Sequence, residues 1–320
     1  MPAAHVVLGG SPVEGQDVVD DPGGDPGRQP GGRGHTLDDV GVLHAGHHAL
    51  SYGEPQILAR IRASSKWWTV SPASGEGGGV RQDEIWDAET AERYDTPGRG
   101  VFAPEVVGPA VERLAALADG GRALEFAIGT GRIAVPLAER GVPVTGIELS
   151  EPMLAKLRQR AAIPVVAGDM ATARAEGRFS LVYLVYNTIS NLLTQDEQVA
   201  CFRNAARHLD PGGRFVIELG VPELRRLPPG QDALVFHAED GYVGVDTYDP
   251  VRQHLVSHHF TFGAGRQARV SRCPQRYIWP AELDLMGRLA GFGLESRHAD
   301  WTGGEFTTES SSHVSVYRLP

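Results

Sequence analysis

Apolar and polar positions change rhythm at Gln82. From there, residues 85–98 (IWDAETAERYDTPG) read as a helix halted by Thr96-Pro97-Gly98, and residues 103–121 space apolar side chains helically before Gly120 and Gly121. Strand patterns then occupy residues 122–128, 142–149, 164–169, 179–187 and 214–220, with helical patterns over 132–141, 150–161 and 196–209 between them. Strands alternating with helices predict βαβ units on a parallel sheet. After Gly220 the spacing shortens to runs of period two at 233–240, 242–249, 254–262 and 268–279, separated by Glu239-Asp240-Gly241 and Gly263-Ala264-Gly265. This predicts an antiparallel insert over residues 221–277. A helix over 280–293, opened by Pro280, and strands at 294–301 and 312–319 complete a doubly wound, mostly parallel α/β sheet of seven strands.

Residues 1–79 follow neither rhythm. They hold 16 of the 40 glycines and read as a low-complexity, disordered extension to a domain over 80–320. Within them, residues 54–70 could form one short amphipathic helix, and His44, His47 and His48 read as solvated histidines because no element organises them. Gly75–Gly79 implies purine-rich codons directly before Val80, which suggests that translation starts near Val80 and that the preceding residues are upstream sequence.

Composition narrows the function classes. With 30 basic against 40 acidic residues and a net charge of −10, the chain lacks the basic excess of a nucleic-acid binder. No apolar run approaches a membrane span, and two cysteines, Cys201 and Cys273, give no disulfide framework and no metal site. A cytoplasmic protein is expected.

The chemistry concentrates at strand ends. Leu124 to Arg132 (LEFAIGTGR) closes the first strand with two glycines at the turn into a helix, where backbone can approach a ligand. Glu148 ends the second strand, where a carboxylate can accept from both ribose hydroxyls. Gly168-Asp169-Met170 ends the third, where Asp can take an adenine amino proton and Met can pack on the ring, and Tyr186-Asn187-Thr188 ends the fourth.

Taken in order, ExxxGxG, GIELS, GDM and HLDPGGRFVIEL (208–219) resemble the class I S-adenosylmethionine-dependent methyltransferases of the small-molecule type, over residues 82–319. The resemblance implies a Rossmann-like fold with a β-rich lid and S-adenosylmethionine as cofactor. It assigns Gly129 and Gly131 to the methionine part, Glu148 to the ribose and Asp169 to the adenine, flanked by Leu149 and Met170. Glu125, Ala127 and Leu184 complete the implied cofactor set, with Ala127 standing where relatives most often have glycine. A small-molecule acceptor methylated on nitrogen or oxygen follows, since no (D/N)PP(Y/F) motif follows the fourth strand. Tyr94, Tyr186, Asn187 and His258 are the catalytic candidates, with His259 beside the last, because a base is needed only for a protonated acceptor.

Two other readings remain open at this level. Residues 129–134 satisfy GxGxxG/A, which a nicotinamide dinucleotide enzyme would share, although Glu125 would then sit close to a pyrophosphate. The third is a binding protein that keeps the pocket without turnover.

Overall fold

The computed structural model describes residues 85–263 and 268–320; the extension over 1–79, with its histidines, its 54–70 segment and the proposed start at Val80, lies outside them. The described elements are α1 (Ala88–Tyr94), α2 (Pro104–Ala118), β1 (Ala123–Phe126), α3 (Ala134–Glu139), β2 (Val144–Glu148), α4 (Glu151–Arg160), β3 (Val165–Ala167), β4 (Phe179–Leu184), α5 (Gln195–His208) and β5 (Leu209–Gly220). The insert follows as β6 (Ala233–Glu239), β7 (Tyr242–Asp249), β8 (His254–Phe262) and β9 (Ala268–Arg276), and the chain closes with α6 (Pro280–Leu289), β10 (Gly293–His298) and β11 (Ser312–Arg318).

The main sheet has seven strands in the order β10-β11-β5-β4-β1-β2-β3. Strands β1 to β5 run parallel, and β11 lies antiparallel between β5 and β10. Alternate residues of the central strands feed two cores. Leu124, Phe126, Val182 and Phe215 pack with Phe202 of α5 and Met286 of α6, whereas Ala123, Leu181, Tyr183 and Val216 pack with Val111 and Leu114 of α2 and Leu137 of α3. Both faces are therefore covered, as a parallel sheet requires.

Local chemistry fixes the ends. Thr194 and Glu197 form a reciprocal capping box at the start of α5, Ser150 caps α4 by accepting from the Met153 N–H, and Pro280 opens α6 after Trp279. One expectation shifts: Asp210-Pro-Gly-Gly does not separate helix from strand but lies within β5. The pairing with β4 jumps from Phe179↔Leu209 to Leu181↔Arg214, so the turn survives as a bulge, with Gly212 at φ 79°.

The insert is a separate four-stranded antiparallel sheet, β6-β7-β8-β9. Its foot is a buried network: Arg276 donates to Gln198 of α5 (2.6 Å), Gln253 (3.2 Å) and Glu282 of α6 (2.7 Å). Arg276, Tyr277 and Trp279 thus join the insert to the core at the entry to α6, and none of the three lines the cavity described below. Among the described residues no helix is long and apolar enough to cross a membrane.

Candidate active site

A cavity of about 580 Å³ opens between the carboxyl ends of β1 to β4, helix α1 and the inner face of the insert. This is within the usual range for ligand pockets, and its place is where open α/β sheets bind ligands.

The floor is glycine-dependent. Gly129 has φ 57° and its N–H donates to Glu148 Oε2 (2.8 Å), while the Ser150 N–H donates to Oε1 (2.7 Å), so the carboxylate is fixed at the end of β2 and also lines the cavity. Burial raises its pKa against these two donors. Gly131 has a different reason to be glycine: at φ 83°, a Cβ would lie 2.5 Å from Leu157 Cδ1 and 2.9 Å from Val135 Cγ2, so it permits close packing and does not line the cavity. Ala127 lines the cavity at φ 51°, a conformation an alanine adopts only with strain. Gly168, Asp169 and Met170 form the adjoining wall, with the Ala171 N–H donating to Asp169 Oδ1 (2.6 Å) and turning the chain there.

Two more of the implied cofactor residues, like Gly131, do not line the cavity. Leu184 is fully buried in the core shared with α5 and α6, because its β4 register faces that side. Glu125 is 2% exposed beneath the turn, with the Tyr183 hydroxyl donating to its Oε2 (2.8 Å) across the β1–β4 pair. Desolvation pushes its pKa up to about 8, outweighing the Tyr183 hydrogen bond and the nearby Arg132 charge.

Helix α1 covers the entrance. Ile85, Trp86, Thr90 and Tyr94 line the cavity, and Tyr94 sits edge-on between Trp86 and Phe102 (5.7 Å to each centroid). The segment is tied to the floor by the Ser150 hydroxyl donating to Trp86 O (2.6 Å), the Thr130 hydroxyl donating to Asp95 (2.7 Å), and an Asp95–Arg160 ion pair. At the end of β4, Tyr186 and Asn187 both hold left-handed backbone (φ 54° and 61°), pinned by the Tyr186 N–H donating to Glu218 (2.8 Å) and the Gly220 N–H donating to Asn187 Oδ1 (2.6 Å). Such paired strain needs an over-determined setting, and both residues line the cavity.

The insert supplies the opposite wall: Phe236, Asp246, Leu255, Ser257, His259, Ser271, Cys273 and Gln275. Strand alternation decides between the two histidines. His259 faces the cavity, with Nδ1 2.6 Å from the Tyr242 hydroxyl. His258 points to the other face, near Thr247 Oγ1 (3.1 Å) and stacked on Phe260, with its pKa lowered to about 4 by burial and then by Arg272. The catalytic candidate His258 therefore does not line this cavity. Asp246 and its neighbours carried no motif; the period-two pattern of β7 to β9 was the only available signal.

The described lining includes three carboxylates, Glu148, Asp169 and Asp246, and no Lys or Arg. A pyrophosphate would meet uncompensated negative charge there, whereas a sulfonium bearing an ammonium group is matched to it. The backbone approach at Gly129 and the acid at the end of β2 suit a nucleoside, so the residues present fit S-adenosylmethionine. Sheet order and site together define a Rossmann-like transferase for a cationic nucleoside cofactor.

Comparison with known proteins agrees. A methyltransferase-domain family profile matches residues 123–213. The solved CcbJ methyltransferase from Streptomyces caelestis is 39% identical, covering 72% of this chain and 95% of that one, with a TM-score of 0.64. The cypemycin N-terminal methyltransferase of a Streptomyces species is 28% identical over 213 residues, 62% of this chain and 83% of its own. A dTDP-3-amino-3,4,6-trideoxy-alpha-D-glucopyranose N,N-dimethyltransferase of Streptomyces venezuelae is 34% identical over 96 residues, 30% of this chain and 40% of its own. The chain belongs to the class I S-adenosylmethionine-dependent methyltransferases, and S-adenosylmethionine is its cofactor.

Proposed function

We propose that the protein methylates the nitrogen of a small-molecule amine held between the floor of the cavity and the insert, which acts as an acceptor lid. The observation that carries this reading is the acidic lid wall facing the strand ends, Asp246 with Ser257 and His259, in a space of small-molecule size. The names of two relatives, an N-terminal methyltransferase and an N,N-dimethyltransferase, favour nitrogen over oxygen.

When bound, S-adenosylmethionine would supply an electrophilic methyl group on a sulfonium, open to in-line displacement by an amine lone pair with the N–C bond forming as the C–S bond breaks. The protein's part is to orient and desolvate. Glu148 and Asp169 offer oxygens to the hydroxyl and amino groups of the nucleoside, with the Gly129 turn beneath. Leu149 and Met170, which line the same cavity, would provide apolar contact to that nucleoside. Tyr94 and Asn187 shape the passage between donor and acceptor, and the Tyr186 ring, held with the Arg132 guanidinium 5.4 Å from its centroid, closes one side. An ammonium must lose a proton before attack. His259 is kept neutral by burial, and in the tautomer whose Nδ1–H donates to the Tyr242 hydroxyl its Nε2 is free to accept that proton.

The test is a panel of matched primary amines, alcohols and carboxylates incubated with methyl-labelled S-adenosylmethionine. Labelled product from amines supports the proposal. Label confined to alcohols or carboxylates overturns it.

A further inference from the structure

We propose that Asp246 is the acceptor-recognition residue of the lid, a carboxylate that receives the positively charged amine and so selects free cationic amines over acceptors carrying a nucleotide diphosphate. The inference rests on the reading of the cavity as an amine methylation site.

Strand β7 places Asp246 opposite Ser257 of β8, which in turn stands opposite Cys273 of β9, so the three side chains form one row across the inner face of the lid. The Ser257 hydroxyl donates to Asp246 Oδ1 (2.7 Å) and fixes the carboxylate beside the cavity. Apolar Phe236 and Leu255 lie on the same wall, and a Cβ at Gly244 would lie 2.3 Å from the Phe236 ring, so glycine there lets the ring lie close over β7. The result is a carboxylate framed by apolar surface, an arrangement that suits an ammonium attached to a hydrocarbon or ring.

The groups around Asp246 leave its charge uncompensated. Ser257 and Tyr248 engage it by hydrogen bonds, Tyr242 and Cys273 are near enough to feel its charge, and Glu223 adds repulsion. Arg226, whose charge reaches the neighbouring Tyr248, is ion-paired with Glu223. Burial and Glu223 push the Asp246 pKa up to about 6, so at neutral pH the carboxylate is ionised and lacks a positive partner, which an ammonium would provide.

The experiment uses the full chain saturated with S-adenosylhomocysteine and titrated with phenethylammonium, neutral 3-phenylpropanol and thymidine diphosphate, in the native protein, Asp246→Asn and Asp246→Ser. Phenethylammonium is expected to bind the native protein and to lose roughly tenfold in affinity in both variants, the worth of one charge-assisted contact. The alcohol should bind all three alike, and the diphosphate should show no saturable binding. In the native protein, amine affinity should also fall as pH drops through about 6, which needs no variant. Amine affinity unchanged in the variants, no amine binding to the native protein, or diphosphate binding as tight as amine overturns the assignment. Failure of the native protein to bind S-adenosylhomocysteine would instead refute the methyl-transfer reading itself.

Discussion

Glu125→Gln is expected to stabilise the cofactor-free protein, by an amount that grows with pH. The carboxyl is completely enclosed between β1 and β4, and its pKa rises from an ordinary 4.5 to about 8. A folded-state pKa above the unfolded value means that the native state binds the extra proton. Stability is therefore full below 4.5 and is lost as pH climbs towards 8. Other groups shift too. Asp246, raised to about 6, has largely finished by pH 6.5, whereas His208, His258, His259 and His313, all lowered by burial from 6.5, still add an opposing rise above pH 6.5, and that rise is common to the native chain and to Glu125→Gln. Linkage between pH 6.5 and 8 gives a loss of about 1.5 kcal/mol from Glu125 alone. Glutamine keeps an acceptor for the Tyr183 hydroxyl and has no proton to lose. Urea unfolding of cofactor-free protein at pH 6.5 and 8 checks this: between the two pH values Glu125→Gln should gain roughly 1.5 kcal/mol relative to the native chain. Equal pH slopes in the two proteins would refute the argument that burial of Glu125 outweighs the nearby Arg132 charge.

Three further expectations follow from the same geometry. Ala127→Gly should raise unfolding free energy by about 0.5–1 kcal/mol in urea titrations, because relief of left-handed strain exceeds the added entropy of the unfolded chain. Glu148→Ala should weaken S-adenosylhomocysteine binding by at least about tenfold in calorimetry, since it removes a nucleoside acceptor and also releases the Gly129 N–H that shapes the turn. Arg276→Met should lower stability by about 3 kcal/mol in thermal or urea unfolding, because Glu282 and Gln198 lose their shared partner at the foot of the lid.

The sheet was legible because each βα unit carries its own punctuation. Glycine turns, the Ser150 cap and the Thr194–Glu197 box mark boundaries that local chemistry alone enforces. The four lid strands were equally readable from period-two runs, and only the Asp210-Pro-Gly-Gly turn was misplaced, since a bulge inside a strand and a turn before one share the same residues. At the site, position at strand ends singled out Gly129, Glu148, Asp169 and Met170, and the structure places all four in the lining of one cavity. Gly131 also looked like a ligand glycine, yet its need is packing against Leu157, a contact visible only in three dimensions. The choice between His258 and His259 depended on which face of β8 turns inward. Asp246 was invisible for the same reason: an isolated acid on a strand gains meaning only when the sheet lies over the cavity.

The most direct test of the account is parallel calorimetric titration of the full chain with S-adenosylmethionine, S-adenosylhomocysteine and NAD. One molecule of either sulfur compound per chain, weakened by Glu148→Ala, with no heat from NAD, is the predicted result. Saturable NAD binding that excludes S-adenosylhomocysteine would contradict the assignment of the acidic cavity to a cationic nucleoside.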